Sequence, residues 1–192
     1  MKNLVFATNN KHKSEEVGNL LAGRYHVLSL PDIGCFADIP ETGTSFAENA
    51  SLKSHFVVEH YGIDCFADDS GLEIEALNHQ PGIYSARYSG KRDDVENLQL
   101  VLKQMRGISN RRANFKTVIS LIKDGSEHFF EGVIFGNIRN EPAGLHGFGY
   151  DPIFEPEGYP ITFAEMSMER KNEISHRALA MNKLMAFLKE QE

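Results

Sequence analysis

The chain is poor in cysteine, in long hydrophobic runs and in basic residues. Cys35 and Cys65 are its only cysteines, and they match no metal-binding spacing. We therefore expect no disulfide framework and a reducing, cytoplasmic location. No apolar stretch approaches the roughly 20 residues that cross a bilayer. The apolar residues that follow Met1 are too few for the core of a signal peptide, so we expect neither a leader nor a membrane partner.

Basic residues are in deficit, because 20 Lys and Arg stand against 27 Asp and Glu, which gives a net charge of −7 with neutral histidines. This balance argues against nucleic acid as a partner, since broad nucleic-acid binding requires a basic surface. It leaves room for a small anionic substrate, because a few lysines and a divalent metal ion can create a positive site locally. The length of 192 residues, with 41% hydrophobic and 24% charged residues, predicts one folded domain over residues 1–192.

Hydrophobic periodicity predicts alternating strands and helices. The predicted strands cover residues 2–8, 25–30, 64–67, 72–77, 114–123 and 127–138. The predicted helices cover residues 10–21, 45–61, 94–105 and a last segment that begins after Ser175 and ends near Lys189. Asp124-Gly125 predicts a hairpin between the last two strands. Alternating strands and helices with one long hairpin predict an α/β fold with a mixed sheet.

The third predicted helix is expected to bury one face made of Val95, Leu98, Leu102 and Met105. Glycine and proline predict irregular connections over residues 31–43 and 140–160. These connections hold several of the residue patterns that carry chemistry.

The first such pattern lies where the first strand ends and the first helix begins, in the string Thr8-Asn9-Asn10-Lys11-His12-Lys13. Backbone N–H groups at a helix N-terminus favour anions, and Lys13 adds a positive charge. By itself the string is better explained as a helix cap with a solvated lysine face. No Walker-type glycine loop occurs, which excludes a P-loop mechanism.

Two adjacent carboxylates, Asp68 and Asp69, follow an apolar strand and precede Ser70-Gly71. Ligands of open α/β sheets gather at the carboxyl ends of strands. Side chains alternate along an extended strand, so a turn at Ser70-Gly71 is expected to bring both carboxylates near one metal ion. Mg²⁺ prefers a few carboxylates together with water and substrate phosphates. The alternative is a local Asx turn without a ligand.

Three further segments carry polar or aromatic groups suited to a nucleotide. Glu41 precedes a helix on which Asn49 and Lys53 share one face. The loop around Phe148 and Gly149 offers an aromatic ring that can stack on a base. Near the last helix, cationic and polar side chains favour an acceptor-rich group: Lys171, Ser175, His176 and Arg177. Each of these segments alone is more typical of a surface, a cap or a packed core.

Together the segments resemble the inosine/xanthosine triphosphate pyrophosphatase family over residues 8–177. The resemblance depends on six short motifs in a fixed order: Thr8-x-Asn10-x-x-Lys13, Glu41-Thr42-Gly43 with Phe46-x-Glu48-Asn49-Ala50-x-x-Lys53, Ala67-Asp68-Asp69-Ser70-Gly71-Leu72, Pro81-Gly82-Ile83-Tyr84-Ser85-Ala86-Arg87, Phe148-Gly149-Tyr150-Asp151-Pro152 and Ser175-His176-Arg177.

The resemblance implies hydrolysis of ITP, dITP and XTP between the α- and β-phosphates. It implies a two-lobed α/β fold, in which an elongated mixed sheet flanked by helices surrounds a central active-site cleft, and a homodimer. It assigns Asp69 as general base and Glu41, Asp68 and Asp69 as ligands of Mg²⁺. The substrate would be bound by two groups of residues. The triphosphate would contact Thr8, Asn10, Lys13 and Lys53, with Ser70 beside it, and the base would contact Phe148, Asp151, Lys171, His176 and Arg177. The remaining residues expected to bind substrate are Asn9, Lys11, His12, Gly149, Tyr150 and Ser175.

Base selection has a physical explanation in these residues. Donors from His176 or Arg177 suit the 6-oxo group of hypoxanthine or xanthine, and Asp151 can accept from N1–H. Adenine presents the opposite pattern and leaves these groups unpaired. Two alternatives remain at this point: a nucleotide-binding regulator without turnover, which the three acids argue against, and a pyrophosphatase for pyrimidine or modified bases, which a substrate panel separates.

Overall fold

The computed structural model describes residues 2–191 as a mixed α/β fold built on a seven-stranded sheet. The strands are β1 (Lys2–Phe6), β2 (Tyr25–Leu28), β3 (Cys65–Ile74), β4 (Gln80–Pro81), β5 (Arg112–Lys123), β6 (Ser126–Ile138) and β7 (Phe154–Pro156). The α-helices are α1 (Lys11–Leu21), α2 (Phe46–Tyr61), α3 (Asp94–Gln104), α4 (Met168–Ile174) and α5 (His176–Glu190). Short 3₁₀ helices cover Pro31–Ile33, Glu75–Leu77, Gly82–Arg87, Asp151–Ile153 and Phe163–Glu165.

The strand order is β2-β1-β3-β5-β6-β7, and β4 pairs with β3 outside this path. β1 lies parallel to both β2 and β3, whereas β4 is antiparallel to β3 and β7 is antiparallel to β6. The predicted α/β class with a mixed sheet is therefore confirmed. The hairpin between β5 and β6 is confirmed as well, since Asp124 and Gly125 both adopt the positive φ values, 50° and 76°, that a two-residue turn of this kind requires.

The chain forms two compact units, and β3, β5 and β6 each contribute residues to both. Unit 1 comprises residues 1–69, 117–132 and 178–192, and unit 2 comprises residues 70–116 and 133–177. No helix among residues 2–191 is both long enough and apolar enough to span a bilayer.

Unit 1 has two apolar clusters. One surrounds the stacked rings of Phe6 and Phe66, whose centroids are 4.6 Å apart, and includes Leu184 of α5. The other surrounds Val5 and Val57. Together they bury β1 and the first half of β3. This close packing fixes the backbone positions of the residues at the ends of these strands.

Unit 2 has one apolar cluster, in which Phe115, Phe154 and Phe163 pack ring against ring. Helix α3 contributes Leu98 and Val101 to it. The predicted face of α3 is partly wrong, because Val95 is 69% exposed and the buried side of the helix is centred on Asn97, Leu98 and Val101.

The predicted turn at Ser70-Gly71 is wrong, since β3 continues as one extended strand from Cys65 to Ile74. Asp68, Asp69 and Gly71 are all buried within it. The string Asp-Asp-Ser-Gly favours a turn locally, but it lies in a strand that pairs with β1 on one side and β5 on the other, and this pairing keeps the backbone extended. Asp68 and Asp69 therefore alternate along one strand and face different neighbours.

Helix α2 shows how local sequence positions functional residues. Ser45 caps it by accepting the Glu48 N–H at 3.1 Å, and Gly62 ends it in the left-handed region at φ 65°. The buried side of the helix carries Asn49 and Lys53 as well as apolar residues. The predicted boundaries of this helix are confirmed.

Two glycines give a matched test of this backbone chemistry. An added Cβ meets nothing within 4 Å at Gly18, in the interior of α1, or at Gly62. Gly18→Ala should raise the free energy of unfolding by about 0.5–1 kcal/mol, because it removes backbone freedom from the unfolded chain. Gly62→Ala should lower it by about 1 kcal/mol, because alanine is strained at φ 65°.

Urea denaturation of both variants measures the two effects. The same sign of change for both variants would contradict the helix and cap assignments.

Candidate functional site

Unit 1 brings two carboxylates of β3 against polar groups from two helices. Asp68 is 1% exposed and its Oδ1 lies 3.0 Å from the Lys13 Nζ of α1. Asp69 is 6% exposed and its Oδ2 accepts from the Asn49 Nδ2 of α2 at 3.0 Å. The strand alternation thus directs one acid to α1 and the other to α2.

Lys53 connects the acids to the preceding loop. Its Nζ contacts the Glu41 Oε1 at 2.7 Å and donates to the backbone oxygen of Asp68 at 2.6 Å. The side chain is almost fully buried, so its charge is compensated by these oxygens rather than by water. These four residues and Lys13 form one group of charges. We call this group, Lys13, Glu41, Lys53, Asp68 and Asp69, the acid–lysine cluster.

Asn49 is a site residue that sequence reasoning placed in a motif but left without a role. Its side chain donates to Asp69 and accepts the Gly43 N–H at 2.8 Å, which ties the loop that carries Glu41 to the strand that carries Asp69. A Cβ at position 43 would lie 2.7 Å from the Glu48 Cβ and 2.8 Å from the Asn49 Oδ1, so only glycine allows this approach. The signal was present, since Asn49 and Lys53 are four residues apart on one helix face.

The residues of the string 8–13 take different positions. Asn10 caps α1 by accepting the Lys13 N–H at 3.2 Å, and the Thr8 hydroxyl accepts the Asn10 N–H at 3.2 Å. Asn9 is exposed and donates to the Ala37 carbonyl, and Lys11 and His12 are exposed. Lys13 is the member of the string that the structure places against the acids.

Burial controls the protonation of the acid–lysine cluster. It raises the pKa of Asp69 above its ordinary value; Lys53 and Lys13 oppose this shift, and the nearby Glu41 carboxylate adds to it. Burial alone would lower the pKa of Lys53, but the charges of Asp69, Glu41 and Asp68 outweigh it and raise that pKa. Lys53 therefore remains charged, while Asp69 is a stronger proton acceptor than an exposed aspartate.

Unit 2 contains the second group of predicted site residues, arranged around a buried ion pair. The Lys171 Nζ lies 2.7 Å from the Asp151 Oδ2, and the same oxygen accepts the Phe148 N–H at 2.9 Å. The Lys171 ammonium also lies 5.0 Å from the centroid of the Phe148 ring. Asp151 therefore holds both the ring and the ammonium that the sequence assigned to a base.

Gly147 makes this arrangement possible. Its φ is 74°, and a Cβ there would lie 2.1 Å from the Asp151 Oδ2. A second contact fixes this loop at Gly149, whose N–H donates to the Asp94 Oδ2 of α3 at 3.0 Å. Asp94 is a second residue that sequence reasoning missed, because nothing in a helix N-terminus shows which distant loop it contacts.

The motif Ser175-His176-Arg177 is buried at the start of α5. The His176 ring stacks on Phe115 with a centroid separation of 4.7 Å and an interplanar angle of 10°. The Arg177 Nη2 donates to the Ser70 Oγ at 3.0 Å. Ser70, Arg177 and His176 are thus held in fixed positions by contacts within unit 2.

Among residues 2–191, no three His, Cys, Asp or Glu side chains surround a common metal position. The acid–lysine cluster nevertheless has the chemistry of a Mg²⁺ and phosphate site. Mg²⁺ is commonly held in proteins by one or two carboxylates, with phosphate and water oxygens completing its shell. The oxygens of Glu41 and Asp69 are of this type, and the two lysines suit anionic phosphate.

Substitutions of the two neighbouring acids, Asp68 and Asp69, are expected to change the free energy of unfolding in opposite directions. The folded-state pKa of Asp69 lies above its unfolded value, so ionisation of this group opposes folding as pH rises through the folded pKa. In metal-free buffer Asp69→Asn should therefore stabilise the protein at neutral pH, and the gain should shrink as the pH falls below that pKa. Urea denaturation across a pH series measures this effect.

The matched control is Asp68→Asn, which removes the charge that faces Lys13. It should lower the free energy of unfolding at neutral pH by about 2 kcal/mol. Equal destabilisation by both substitutions would contradict the different environments of the two carboxylates.

Comparisons with known proteins cover nearly the whole chain. The Ham1 family model matches residues 4–187. A dITP/XTP pyrophosphatase of Porphyromonas gingivalis is 50% identical over 190 residues, which is 98% of this chain and 98% of that protein. Its counterpart from Flavobacterium psychrophilum is 51% identical over 187 residues, or 97% of this chain and 98% of that protein.

Solved structures give the same result. The Ham1 protein of Staphylococcus aureus matches with a TM-score of 0.90 at 40% identity, covering 100% of both chains. A HAM1 protein from Coxiella burnetii matches with a TM-score of 0.90 at 38% identity, covering 99% of this chain and 100% of that one. The resemblance that the motifs indicated is confirmed, and the chain belongs to the Ham1 family.

Proposed function

We propose that the protein hydrolyses the non-canonical purine nucleotides ITP, dITP and XTP between the α- and β-phosphates, releasing pyrophosphate and a nucleoside monophosphate. The observation that carries this proposal is the acid–lysine cluster: a buried Asp69 of raised pKa beside two lysines, in a chain about half identical to proteins named dITP/XTP pyrophosphatases. Phosphoryl transfer to water requires charge neutralisation and an oriented nucleophile, and these groups supply both.

Asp69 is the proposed general base. A general base works best when its pKa lies near the working pH, and burial moves the pKa of Asp69 in that direction. Asn49 fixes the carboxylate by donating to Oδ2, so one of its oxygens has a set orientation for a water molecule. Lys13 and Lys53 provide positive charge for the phosphates, together with the backbone around Thr8 and Asn10.

Glu41 and Asp69 would hold Mg²⁺, and the assignment of Asp68 as a third ligand stays a prediction, because its Oδ1 faces the Lys13 ammonium. The donor set fits a hard divalent cation, because all three side chains are carboxylates. When bound, Mg²⁺ offsets phosphate charge and lowers the pKa of a bound water. Lys53 now contacts Glu41 and Lys13 contacts Asp68, and both lysines can exchange these oxygens for phosphate oxygens.

The residues of unit 2 are proposed to bind the base. The Phe148 ring and the Lys171 ammonium offer stacking and a positive charge, while His176 and Arg177 offer donors for a 6-oxo group. Asp151 already bonds Lys171 and the Phe148 N–H, so holding these two groups is its first role. Its contact with N1–H stays a prediction, as do the contacts of Gly149, Tyr150 and Ser175 with substrate.

We also propose that residues 1–192 act as one domain, since the family model extends across both units. The two cysteines are free and buried, which supports a reducing cytoplasmic location. The homodimer remains a prediction, supported by large apolar side chains that are exposed in this chain, such as Phe36 and Leu145.

The reaction itself is tested by product analysis. With dITP and Mg²⁺ we expect dIMP and pyrophosphate in equal amounts, and no orthophosphate beyond background. Asp69→Asn should lower kcat by about 10²- to 10⁴-fold, because the general base is lost while the fold is kept. The matched control is Asp64→Asn, which removes an exposed carboxylate just before β3 and should leave kcat unchanged.

Either of two results contradicts this assignment. Orthophosphate as the main product excludes cleavage between the α- and β-phosphates, and a normal kcat for Asp69→Asn excludes the base role. Chelation of divalent cations should abolish turnover of the wild-type protein.

Base selection gives a separate prediction. Each buried polar group that adenine leaves unpaired costs about 1–3 kcal/mol, so two of them should favour ITP over ATP by roughly 10²- to 10⁴-fold in kcat/KM. Arg177→Met should reduce this ratio by about tenfold or more, because one donor to the 6-oxo group is lost.

Arg139→Met is the control. Arg139 is a partly exposed arginine of unit 2 that pairs with Glu155 at 3.0 Å, and its loss should not change the ratio. An unaltered ITP-to-ATP ratio in Arg177→Met would exclude Arg177 from base recognition.

A further inference from the structure

Ser85 lies in the 3₁₀ helix Gly82–Arg87, within a motif to which the proposed reaction assigns no role. It is 9% exposed, and both its side chain and its carbonyl make buried hydrogen bonds. Its hydroxyl accepts the Leu72 N–H at 2.9 Å and donates to the Gly82 carbonyl at 2.6 Å. Its own carbonyl accepts the Tyr150 hydroxyl at 2.8 Å. Ser85 therefore joins three separate segments of unit 2.

The bond to Leu72 fixes the second half of β3. Leu72 is fully buried, and its N–H would have no compensation from water if the Ser85 hydroxyl were removed. Two residues earlier on the same strand, the Ser70 hydroxyl accepts from Arg177. The Ser85 hydroxyl thus fixes the backbone of β3 close to Ser70, the residue that accepts the hydrogen bond from Arg177.

The bond from Tyr150 fixes the loop that carries Phe148. The Tyr150 ring belongs to the apolar cluster of unit 2 and is 4% exposed. Burial raises the pKa of Tyr150, so its hydroxyl keeps the proton that it donates to Ser85. Tyr150 lies between Gly149, whose N–H donates to Asp94, and Asp151, which accepts from Lys171 and Phe148.

We propose that Ser85 is a positioning residue for the base-binding groups, which holds Ser70 with Arg177 on one side and the Phe148 loop on the other in a fixed mutual arrangement. This inference rests on the proposed function, because it assigns Phe148 and Arg177 to the base. Ser85 touches neither the substrate nor the reacting atoms, and acts through Leu72 and Tyr150.

The test compares Ser85→Ala, Tyr150→Phe and the double variant with dITP as substrate. Ser85→Ala removes both hydroxyl contacts, and Tyr150→Phe removes the bond to the Ser85 carbonyl while keeping the ring. Each should raise KM about tenfold, since misplaced binding groups lose affinity, and should change kcat by less than about threefold. Because both act on one arrangement, the double variant should raise KM by clearly less than the product of the two single effects.

A second readout does not depend on turnover. The chain contains no tryptophan, so Phe148→Trp introduces a single fluorophore into the loop. In this background, Tyr150→Phe should lower the fluorescence anisotropy of the free protein, because it removes the hydrogen bond from the loop to the Ser85 carbonyl. Ser85→Ala keeps that carbonyl but releases it from Leu72 and Gly82, so the acceptor of Tyr150 is no longer held in place and the anisotropy should fall as well. Ser85→Thr keeps a hydroxyl, so its anisotropy and KM should lie closer to those of the parent protein than the values of Ser85→Ala do.

The control for a merely structural effect is Val101→Ala, which removes methyl groups from the same apolar cluster but leaves the three hydrogen bonds of Ser85 in place. At equal loss of thermal stability it should leave KM and anisotropy unchanged. The proposal is overturned if Val101→Ala shifts KM as Ser85→Ala does, or if Ser85→Ala alters neither KM nor anisotropy. If wild-type protein releases no pyrophosphate from dITP, the proposed function fails, and the anisotropy measurement still decides whether Ser85 fixes the loop.

Discussion

The burial of two adjacent aspartates in β3 is the constraint around which unit 1 is organised. Two carboxylates in a low-dielectric interior are unfavourable unless cations and donors compensate them. Lys13, Lys53 and Asn49 supply this compensation from two different helices. Helices α1 and α2 and the loop around Gly43 are placed so that these groups contact one strand, β3.

The compensation is incomplete at Asp69, and this incompleteness is what makes the cluster chemically useful. A fully neutralised carboxylate would be a poor base and a poor ligand, whereas Asp69 has a raised pKa beside a permanently charged Lys53. The raised pKa of Asp69 therefore supports the proposed role of this carboxylate as a general base. Unit 2 shows the opposite design, since the ion pair of Asp151 and Lys171 is closely matched and serves to hold an aromatic ring.

The sequence predicted the elements well where local chemistry decides them. Ser45 and Gly62 mark both ends of α2, and Asp124-Gly125 marks the β5–β6 hairpin, because caps and tight turns depend on a few adjacent residues. It failed where distant groups override local preference. The string Asp68 to Gly71 has the composition of a turn, yet pairing of β3 with β1 and β5 keeps it extended.

The site was predicted in the same uneven way. The sequence marks residues with a charge or a ring in a motif, including Lys13, Lys53, Asp69 and Lys171, because their chemistry is visible in the residue type. Asn49, Ser85 and Asp94 carry no such mark, since they contribute through hydrogen bonds to partners far along the chain. Supporting contacts of this kind can be identified only from the three-dimensional structure.

The contacts of the two aspartates also differ in how far they reach along the chain, and this has a consequence for folding order. Lys53 and Asn49 are 15 and 20 residues from their partners, whereas Lys13 is 55 residues from Asp68. Closing the shorter loops costs less entropy, so the α2–β3 contacts can form first and the α1 contact last. Until α1 docks, the Asp68 carboxylate lacks its contact with the Lys13 ammonium. The acid–lysine cluster is therefore complete only once the first helix has joined the strand.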